Sequence, residues 1–553
     1  MKKIINKLRN THLSANQLVM LTCAYITLIL NFPFLQKATQ AIVGLAQYNP
    51  FFLLSLPLFL FMVSVIMHCL FAWKGLTKPI LIATVIVSAA LFYATLSYGI
   101  VFDYGMVQNA FESDTAEALS YVNAHAAVFV LVFGVLPAVV IGLVSIDYKP
   151  AFSELASRCK LVLSSILVIA LIASVFYSDY AAVGRNNKPL IGYITPYKMI
   201  DGAVKYIKHH YLYPPLVFTQ LDAAPTIHRT DSKKHVTVMV LGETARAQNF
   251  SYNGYSHNTN QYTAHEKLIS FSNMHSCGTA TAVSVPCMFS RLNHTEYDNR
   301  QANAQQNVVD IIAAAGADVL WISNNNGSCK GVCKRVPSIQ IIPQESHPLC
   351  DGEFCFDEVL LEPLNAKLST LTHENTLIVL HMIGSHGPTY YKRYPQSQRT
   401  FTPDCPRSDI QNCTDEALMN TYDNTIAYTD YVLEKIITSL KRAAIDTEVN
   451  TSLIYVSDHG ESLGENGIYL HGLPYSFAPE SQTHIPMLLW AGEENTDLAL
   501  DCIAAVKDTY LSHDNVFDIL LGMMAVSTVS YSQPNDPFSP CNLSEIVHNL
   551  IPD

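Results

Sequence analysis

Residues 236–246, in the larger, carboxy-terminal part of the chain, read VTVMVLGETAR. The apolar and β-branched beginning of this stretch, 236–241, predicts a buried strand. Similar runs predict further strands at 319–323, 377–382, 453–457 and 486–490, and helical patterns lie near 305–315, 357–370 and 416–442. Because strands that alternate with helices favour parallel pairing, we expect a mostly parallel α/β sheet flanked by helices on both faces.

Polar motifs stand just beyond three of the predicted strands. Glu243 follows the first strand, His386 follows the strand at 377–382, and Asp458 and His459 follow the strand at 453–457. Ligands of such sheets bind beyond the carboxyl ends of the strands, so we expect these side chains at one edge. Each of them alone is explained as well by a turn or a helix cap. Together, their oxygen and imidazole ligands suit Zn²⁺, with Mn²⁺ as the alternative.

A loop of small residues supplies candidate nucleophiles. Residues 277–287 read CGTATAVSVPC, so the hydroxyls of Thr279, Thr281 and Ser284 lie between two cysteines. A hydroxyl at a helix N-terminus stands where backbone N–H groups favour an anion, and metal coordination would make it a nucleophile. Helix capping explains the same residues. The residues alone leave the choice among the three hydroxyls open.

Five apolar stretches precede this part of the chain, at about 17–35, 51–73, 79–101, 125–146 and 161–177. A membrane-spanning helix needs roughly 17–25 mostly apolar residues. None of the five stretches has an acidic or basic residue in its middle, whereas soluble helices of this length normally keep a polar face. We therefore predict five membrane-spanning helices.

The charges of the connections predict the orientation. Lysine and arginine concentrate before the first stretch and in the second and fourth connections, whereas the third connection is acidic. Since positive charge stays cytoplasmic, the N-terminus is predicted inside and everything after about residue 178 outside. We predict a transmembrane domain at 1–178, an interfacial linker at 179–225 and a periplasmic catalytic domain at 226–553.

The composition of the 553 residues excludes several functions. With 49% hydrophobic and 14% charged residues, the chain is too apolar to be disordered. The formal net charge is −12, and the acidic part is the one after residue 180, which argues against nucleic acid as a partner. Ion pathways need ionisable groups within the spans, so the lack of charge there disfavours a transporter.

Ten of the thirteen cysteines lie after residue 270, and an even number outside the membrane indicates an oxidising compartment. The alternative is a zinc ribbon, since two of the local couples come near its spacing. Disulfides agree with the predicted topology, which places these ten cysteines outside the cytoplasm. Pairing of neighbours in sequence is our hypothesis, which gives Cys277/Cys287, Cys329/Cys333, Cys350/Cys355, Cys405/Cys413 and Cys502/Cys541.

Four ordered motifs, at 242–246, 277–287, 383–390 and 457–462, resemble those of the lipid A phosphoethanolamine transferases (the EptA and mobile colistin resistance type). The resemblance covers essentially the whole chain. It implies five amino-terminal spans before a periplasmic α/β domain of the alkaline phosphatase/sulfatase superfamily. It also implies a multi-pass protein of the bacterial inner membrane. We expect a monomer.

The resemblance implies a role for nine residues. Thr281 matches the nucleophile that carries phosphoethanolamine, and it completes a zinc site with Glu243, Asp458 and His459. The residues that match the donor pocket, where a second zinc ion can bind, are His386, His471, Asn326, Lys330 and Glu461. Of these, Glu461 is expected to meet the ethanolamine ammonium group.

The activity implied is zinc-dependent transfer of phosphoethanolamine from phosphatidylethanolamine to a lipid A phosphate. This would lower the negative charge of the outer membrane and confer polymyxin resistance. Transfer to core sugars or another glycan is an alternative, as is a phosphoglycerol transferase of the lipoteichoic acid type. A sulfatase would need a proline where Phe289 stands, and a non-enzymatic sensor would be expected to lack a site residue.

Overall fold

The computed structural model describes residues 2–43, 49–112, 123–214, 216–229, 231–325, 329–495 and 497–541. The chain divides into two compact units. The membrane unit, as we call it, comprises Met1–Val107 and Val122–Tyr206, and the α/β unit comprises Gln108–Tyr121 and Ile207–Asp553.

Helices dominate the amino-terminal part of the chain. They run over Lys2–Arg9, Ala15–Tyr25, Ile26–Leu30, Phe32–Val43, Pro50–Cys69, Thr77–Tyr98, Tyr104–Glu112, Ala124–Leu143, Ala151–Asn186, Lys188–Tyr193 and Tyr197–Ile207. Within the described residues, four of them contain a segment long and apolar enough to cross a membrane, and a bent pair of helices makes a fifth if it counts as one span. The four segments are Pro50–Cys69, Thr77–Tyr98, Ala124–Leu143 and Ala151–Tyr177.

The bent pair falls on the first predicted span, 17–35, which the apolar pattern alone describes as one straight helix. Ala15–Leu30 and Phe32–Val43 meet at an angle of 59°. Between them, Asn31 leaves helical geometry, and its side-chain amide donates to the carbonyl oxygens of Ile26 (3.0 Å) and Thr195 (2.7 Å). A proline, Pro33, follows in the first turn of the second helix, where its missing N–H costs nothing.

The predicted linker, 179–225, is helical over much of its length. The helix that contains the fifth predicted span begins at Ala151 and ends only at Asn186, with non-helical backbone angles at Phe176. A short 3₁₀ segment and the helix Tyr197–Ile207 follow. The polar residues after 177 end the apolar run, but they do not end the helix, because helix formation does not require apolar side chains.

The α/β unit is built on one eight-stranded sheet. In chain order its strands are β1 (His235–Gly242), β2 (Ile269–His275), β3 (Asp318–Ser323), β4 (Ser338–Gln340), β5 (Asn375–His381), β6 (Asn450–Ser457), β7 (His484–Ala491) and β8 (Leu511–Ser512). Their order across the sheet is β8-β2-β7-β6-β1-β5-β3-β4. Among the described strands of this sheet, β7 alone runs antiparallel to its neighbours. All five predicted strands are present, whereas β2, β4 and β8 were not predicted.

The helices of this unit cover the sheet. They include Thr281–Met288, Asn299–Asn303, Val308–Ala314, Leu361–Leu368, Asp415–Thr447, Leu500–Ala504 and His513–Met523. One apolar cluster joins strand residues such as Met239 and Trp321 to helix residues such as Val309 and Phe517. The central strands β1, β5 and β6 are buried along their whole length. Burial on both faces explains why these strands have continuous apolar runs in the sequence.

Five disulfides lie in this unit. They join Cys277 to Cys287, Cys329 to Cys333, Cys350 to Cys355, Cys405 to Cys413 and Cys502 to Cys541. These are the same couples that pairing of neighbours in sequence gives. The first of them closes the loop of small residues that contains the candidate nucleophiles.

Candidate active site

Two neighbouring strand ends bring three site residues together. Strands β1 and β6 pair in parallel with Gly242 opposite Ser457, so the next residues, Glu243 and Asp458, leave the sheet at the same edge. His459 follows, and its Nε2 lies 3.3 Å from Glu243 Oε1 and 3.4 Å from Asp458 Oδ2. All three side chains are fully buried, and one ligand atom of each lies within 4.8 Å of the others.

Of the three hydroxyls that the sequence left open, Thr281 reaches this group. It is the first residue of the helix Thr281–Met288. Its Oγ1 lies 3.2 and 3.3 Å from the two carboxylate oxygens of Glu243 and 3.4 Å from His459 Nε2. Thr279 donates instead to the carbonyl oxygen of Leu473.

Charge is concentrated in this buried group. Burial and the neighbouring Glu243 raise the pKa of Asp458 to about 7. Burial opposes protonation of His459, but Asp458 and Glu243 raise its pKa to about 10. Burial also opposes ionisation of Glu243, yet His459 and His386 hold its pKa well below the ordinary value. The two buried carboxylates therefore stabilise a positively charged group at the centre of the site.

The same residues fit a divalent cation. His459 Nδ1 donates to the carbonyl oxygen of Gly460 (2.9 Å), so Nε2 is the ring nitrogen that faces the two carboxylates, and a cation bound there would take the place of its proton. Asp458 Oδ1 accepts from the backbone N–H groups of Thr244 and His459, whereas its Oδ2 is buried and has no hydrogen-bond partner in the described part of the chain. Such an oxygen is costly unless a cation binds it. Carboxylate, imidazole and hydroxyl ligands suit zinc.

Asn325 holds Glu243 in place, and our sequence reasoning missed it. Its Nδ2 donates to Glu243 Oε2 (2.6 Å) and to the carbonyl oxygen of Met382 (3.1 Å). We predicted the adjacent Asn326, which lies outside the described residues. The signal was the run of asparagines at 324–326, but the pattern does not show which member faces the carboxylate.

Two histidines adjoin the acidic group. The ring of His471 lies 4.4 Å from that of His459 and 5.5 Å from that of His386, measured between centroids. His471 Nδ1 lies 3.4 Å from Glu461, whose Oε2 also accepts from the hydroxyl of Tyr390 (2.9 Å). The structure therefore brings three of the five predicted donor-pocket residues, His386, His471 and Glu461, together beside Glu243, Asp458 and His459.

Lys330 is the remaining predicted residue of the donor pocket that the structure describes. It is partly buried and has a positive φ of 49°. Its charge contributes to lowering the pKa of His381, the last residue of β5, to about 4, although burial is the larger cause. Lys330 therefore lies close enough to the end of β5 to act there electrostatically.

Asp357 is a further buried carboxylate, and no pattern in the sequence indicates a role for it. Its Oδ1 accepts from the N–H of Ile383 (2.9 Å) and from the side chain of Asn324 (2.8 Å), and its Oδ2 accepts from the N–H of Gly384 (2.9 Å). A Cβ added to Gly384 would stand 2.6 Å from the carbonyl oxygen of Glu243. Asp357 therefore fixes the loop that packs closely on the backbone of Glu243.

We expect Asp357→Asn to lower both stability and transfer. An amide offers one oxygen, so the N–H of either Ile383 or Gly384 would face an NH₂ group and lose its hydrogen bond. A buried unpaired donor costs about 1–3 kcal/mol, and displacement of Glu243 should reduce turnover several-fold. Thermal unfolding and transfer assays check this, with the exposed Glu362→Gln as the control. Wild-type stability and turnover in Asp357→Asn would show that Asp357 does not position the loop.

Comparison with known proteins identifies the class of this fold and site. Residues 235–526 match the family model described as Sulfatase, and residues 59–211 match the one described as Phosphoethanolamine transferase EptA/EptB. The α/β unit therefore has the fold of the alkaline phosphatase/sulfatase superfamily, whose members depend on metal ions.

Relatives extend the similarity over more than nine tenths of the chain. Phosphoethanolamine transferase EptA of Escherichia coli K12 is 41% identical over 532 residues, which cover 95% of this chain and 96% of the relative. Phosphatidylethanolamine transferase Mcr-1 of Escherichia coli is 35% identical, covering 92% of this chain and 95% of the relative. The solved structure of the integral membrane protein lipooligosaccharide phosphoethanolamine transferase A from Neisseria meningitidis is 34% identical, covers 96% of this chain and 99% of its own, and superposes with a TM-score of 0.91.

The chain belongs to the EptA family of phosphoethanolamine transferases. It is an enzyme of the transferase class and a multi-pass membrane protein. The family, the fold class and the kind of enzyme predicted from the sequence are thereby confirmed.

Proposed function

We propose that this chain transfers phosphoethanolamine from phosphatidylethanolamine to a phosphate of lipid A through a covalent intermediate on Thr281. The observation that carries the proposal is the position of Thr281 Oγ1, which lies 3.2–3.4 Å from Glu243 and His459. The names of two relatives support phosphoethanolamine as the transferred group. EptA is called a phosphoethanolamine transferase, and Mcr-1 is called a phosphatidylethanolamine transferase.

Glu243, Asp458, His459 and Thr281 Oγ1 would hold a zinc ion. When bound, the ion would neutralise phosphate charge and lower the pKa of the hydroxyl that it binds. The chain's own contribution is orientation. Because Thr281 directs its hydrogen bond towards Glu243, a lone pair of Oγ1 is left for the phosphorus atom. The N-terminus of the helix that Thr281 begins favours the negative charge of a phosphate.

The transfer takes two steps at one position. In the first, the bond from Thr281 Oγ1 to phosphorus forms, the bond from phosphorus to the glycerol oxygen breaks, and diacylglycerol leaves with a proton. In the second, an oxygen of the lipid A phosphate attacks the same phosphorus, the bond from phosphorus to Thr281 Oγ1 breaks, and Oγ1 takes up a proton from the acceptor phosphate or from water. A covalent intermediate lets one pocket admit the donor and the acceptor in turn.

The adjoining residues would bind the donor's head group. His386 and His471 are buried side by side and could hold a phosphate oxygen or a second zinc ion. Glu461 already contacts Tyr390 and His471, and its carboxylate supplies the negative charge that an ethanolamine ammonium group needs. Asn326 and Lys330 belong to the same proposed subsite, where Lys330 would attract the donor phosphate.

The acceptor can be tested by mass spectrometry of lipid A from cells that express the chain. We expect phosphoethanolamine on lipid A phosphates and reduced polymyxin susceptibility, because the modification removes negative charge from the surface that cationic peptides bind. Cells expressing Thr281→Ala are the control and should show neither. Unmodified lipid A together with phosphoethanolamine on core sugars, or with glycerol phosphate on another glycan, would contradict the lipid A assignment.

We also propose that the protein lies in the inner membrane with a cytoplasmic N-terminus and the α/β unit in the periplasm. Five disulfides in the α/β unit support an oxidising compartment. In this orientation the exposed thiol of Cys159 faces the cytoplasm, while the other two free cysteines in the described chain are buried. A membrane-impermeant maleimide should therefore label Cys159 only after intact spheroplasts are lysed, and labelling before lysis would reverse the orientation.

A further inference from the structure

A cavity of about 540 Å³ lies within the membrane unit. It is formed between the helices Phe32–Val43, Pro50–Cys69 and Ala151–Asn186 and the segment 187–201. Its principal lining side chains are Phe34, Phe52, Leu56, Phe59, Leu60 and Tyr180. The volume lies within the ~300–1,000 Å³ typical of ligand sites, and apolar walls of this kind hold water poorly.

The aromatic wall of the cavity is held in place by packing and hydrogen bonding. The ring of Tyr180 meets Phe52 edge-on at 4.9 Å and lies 5.2 Å from the ring of Phe59. Its hydroxyl is 2.9 Å from Ser55 Oγ, which in turn donates to the carbonyl oxygen of Phe52 (2.7 Å). The polar atoms of this wall are therefore satisfied by the protein, and the aromatic faces remain for an apolar ligand.

Charged side chains border one part of the cavity. Lys198 and Asp201, on the helix Tyr197–Ile207, are among its lining residues. Asp201 Oδ2 lies 3.0 Å from the ammonium groups of both Lys198 and Lys205, so the three side chains carry one net positive charge.

The helix that carries these charges also has an exposed apolar side. Its apolar residues Ile200 and Val204 are 49% and 44% exposed, although its other side carries the lysines. A short helix with an exposed apolar face and basic residues beside it is typical of the membrane–water interface. The charged border of the cavity therefore belongs at the head-group level, and the apolar remainder belongs at acyl-chain level.

We propose that this cavity binds a glycerophospholipid, with an acyl chain against Phe52, Phe59 and Tyr180 and the phosphodiester beside Lys198. A phosphodiester carries one negative charge, which complements the one net positive charge of the group formed by Lys198, Asp201 and Lys205, of which the first two line the cavity. A bilayer offers acyl chains at high concentration, and an empty cavity would forfeit the dispersion contacts of its walls. Lipid tails in the bilayer are as apolar as the cavity walls, so burial of apolar surface alone does not favour binding. Selectivity for the lipid therefore comes from the fit of its acyl chain and from the charge of Lys198. This site uses only residues of the membrane unit and goes beyond the proposed transfer at Thr281.

Native mass spectrometry of the full chain tests the proposal. The Thr281→Ala background is used to prevent turnover, and the probe added to delipidated protein is phosphatidylglycerol, which is not the proposed donor. Leu56→Trp fills the cavity, whereas Leu54→Trp places the same side chain on the same helix at a position that is 68% exposed and outside the lining. We expect Leu56→Trp to weaken binding about tenfold, equivalent to ~1.4 kcal/mol, and Leu54→Trp to leave it unchanged.

A second variant keeps the test decisive if Leu56→Trp does not fold. Lys198→Gln, at a partly exposed position, should weaken binding of phosphatidylglycerol but not of diacylglycerol, which lacks the phosphate. Equal binding by the parent protein and the correctly folded Leu56→Trp variant would overturn the proposal, and so would detergent as the sole occupant. Diacylglycerol bound as tightly as phosphatidylglycerol by the parent protein would overturn the assignment of the phosphate. None of these results bears on transfer through Thr281.

Discussion

Thr281→Ala is expected to abolish phosphoethanolamine transfer, with a loss on the order of 10³-fold or more. The substitution removes the hydroxyl oxygen that lies beside Glu243 and His459, and without it no covalent intermediate can form. Glu243, Asp458 and His459 remain in place, so part of the zinc should stay bound. Transfer to lipid A and the zinc content of the purified protein measure the two effects.

Two variants of the same helix make this prediction specific. Thr281→Ser retains a hydroxyl and should retain part of the activity. Ser284→Ala is the matched control, because the Ser284 hydroxyl is buried and has no hydrogen-bond partner among the described residues. Its loss should leave transfer close to the wild-type rate. Full transfer by Thr281→Ala, or a loss in Ser284→Ala as large as in Thr281→Ala, would contradict the role of Thr281.

Asp458→Asn is expected to lower zinc content and to reduce transfer by more than about 100-fold. The change keeps the shape of the side chain, but it replaces a carboxylate oxygen that is buried beside His459 and has no hydrogen-bond partner in the described chain. An uncharged amide neither neutralises the cation nor binds it well, and loss of a direct ligand should exceed the 10–100-fold cost of changing an outer partner. Metal analysis after dialysis against a defined zinc concentration measures the loss.

The control for Asp458→Asn is the thermal stability of both proteins after chelation. We expect the metal-free forms to unfold at similar temperatures, because the lost charge contributes binding rather than packing. Added zinc should then raise the unfolding temperature of the wild type more than that of the variant. Equal zinc content and equal stabilisation of the two proteins would show that Asp458 does not bind the metal.

Much of the α/β fold could be predicted because its central strands are buried on both faces. The continuous apolar runs of β1, β5 and β6 are direct consequences of that burial, and each marks a strand whose end lies at the ligand edge. Glu243, Asp458 and His459 could be predicted as one group for the same reason. Thr281 could not be separated from Thr279 by residue chemistry, since the two differ in their contacts, which are with Glu243 for Thr281 and with Leu473 for Thr279.

The strands and contacts that were not predicted lack the continuous apolar runs from which the central strands were predicted. Strand β2 alternates buried with partly buried residues, and β4 is three exposed residues at the sheet edge. The contacts of Asp357 with the loop at 383–384 join residues 26 and 27 positions apart, so no local pattern reveals them. The bend at Asn31 depends in the same way on Thr195, which lies 164 positions away.

Peptide mass spectrometry of the purified chain, after incubation with phosphatidylethanolamine and without an acceptor, tests directly whether Thr281 forms the covalent intermediate. We predict a phosphoethanolamine group on the hydroxyl of Thr281 and on no other residue, and we predict that added lipid A removes it. A protein that modifies lipid A at its full rate while Thr281 stays unmodified, or that carries the group elsewhere, would contradict the account.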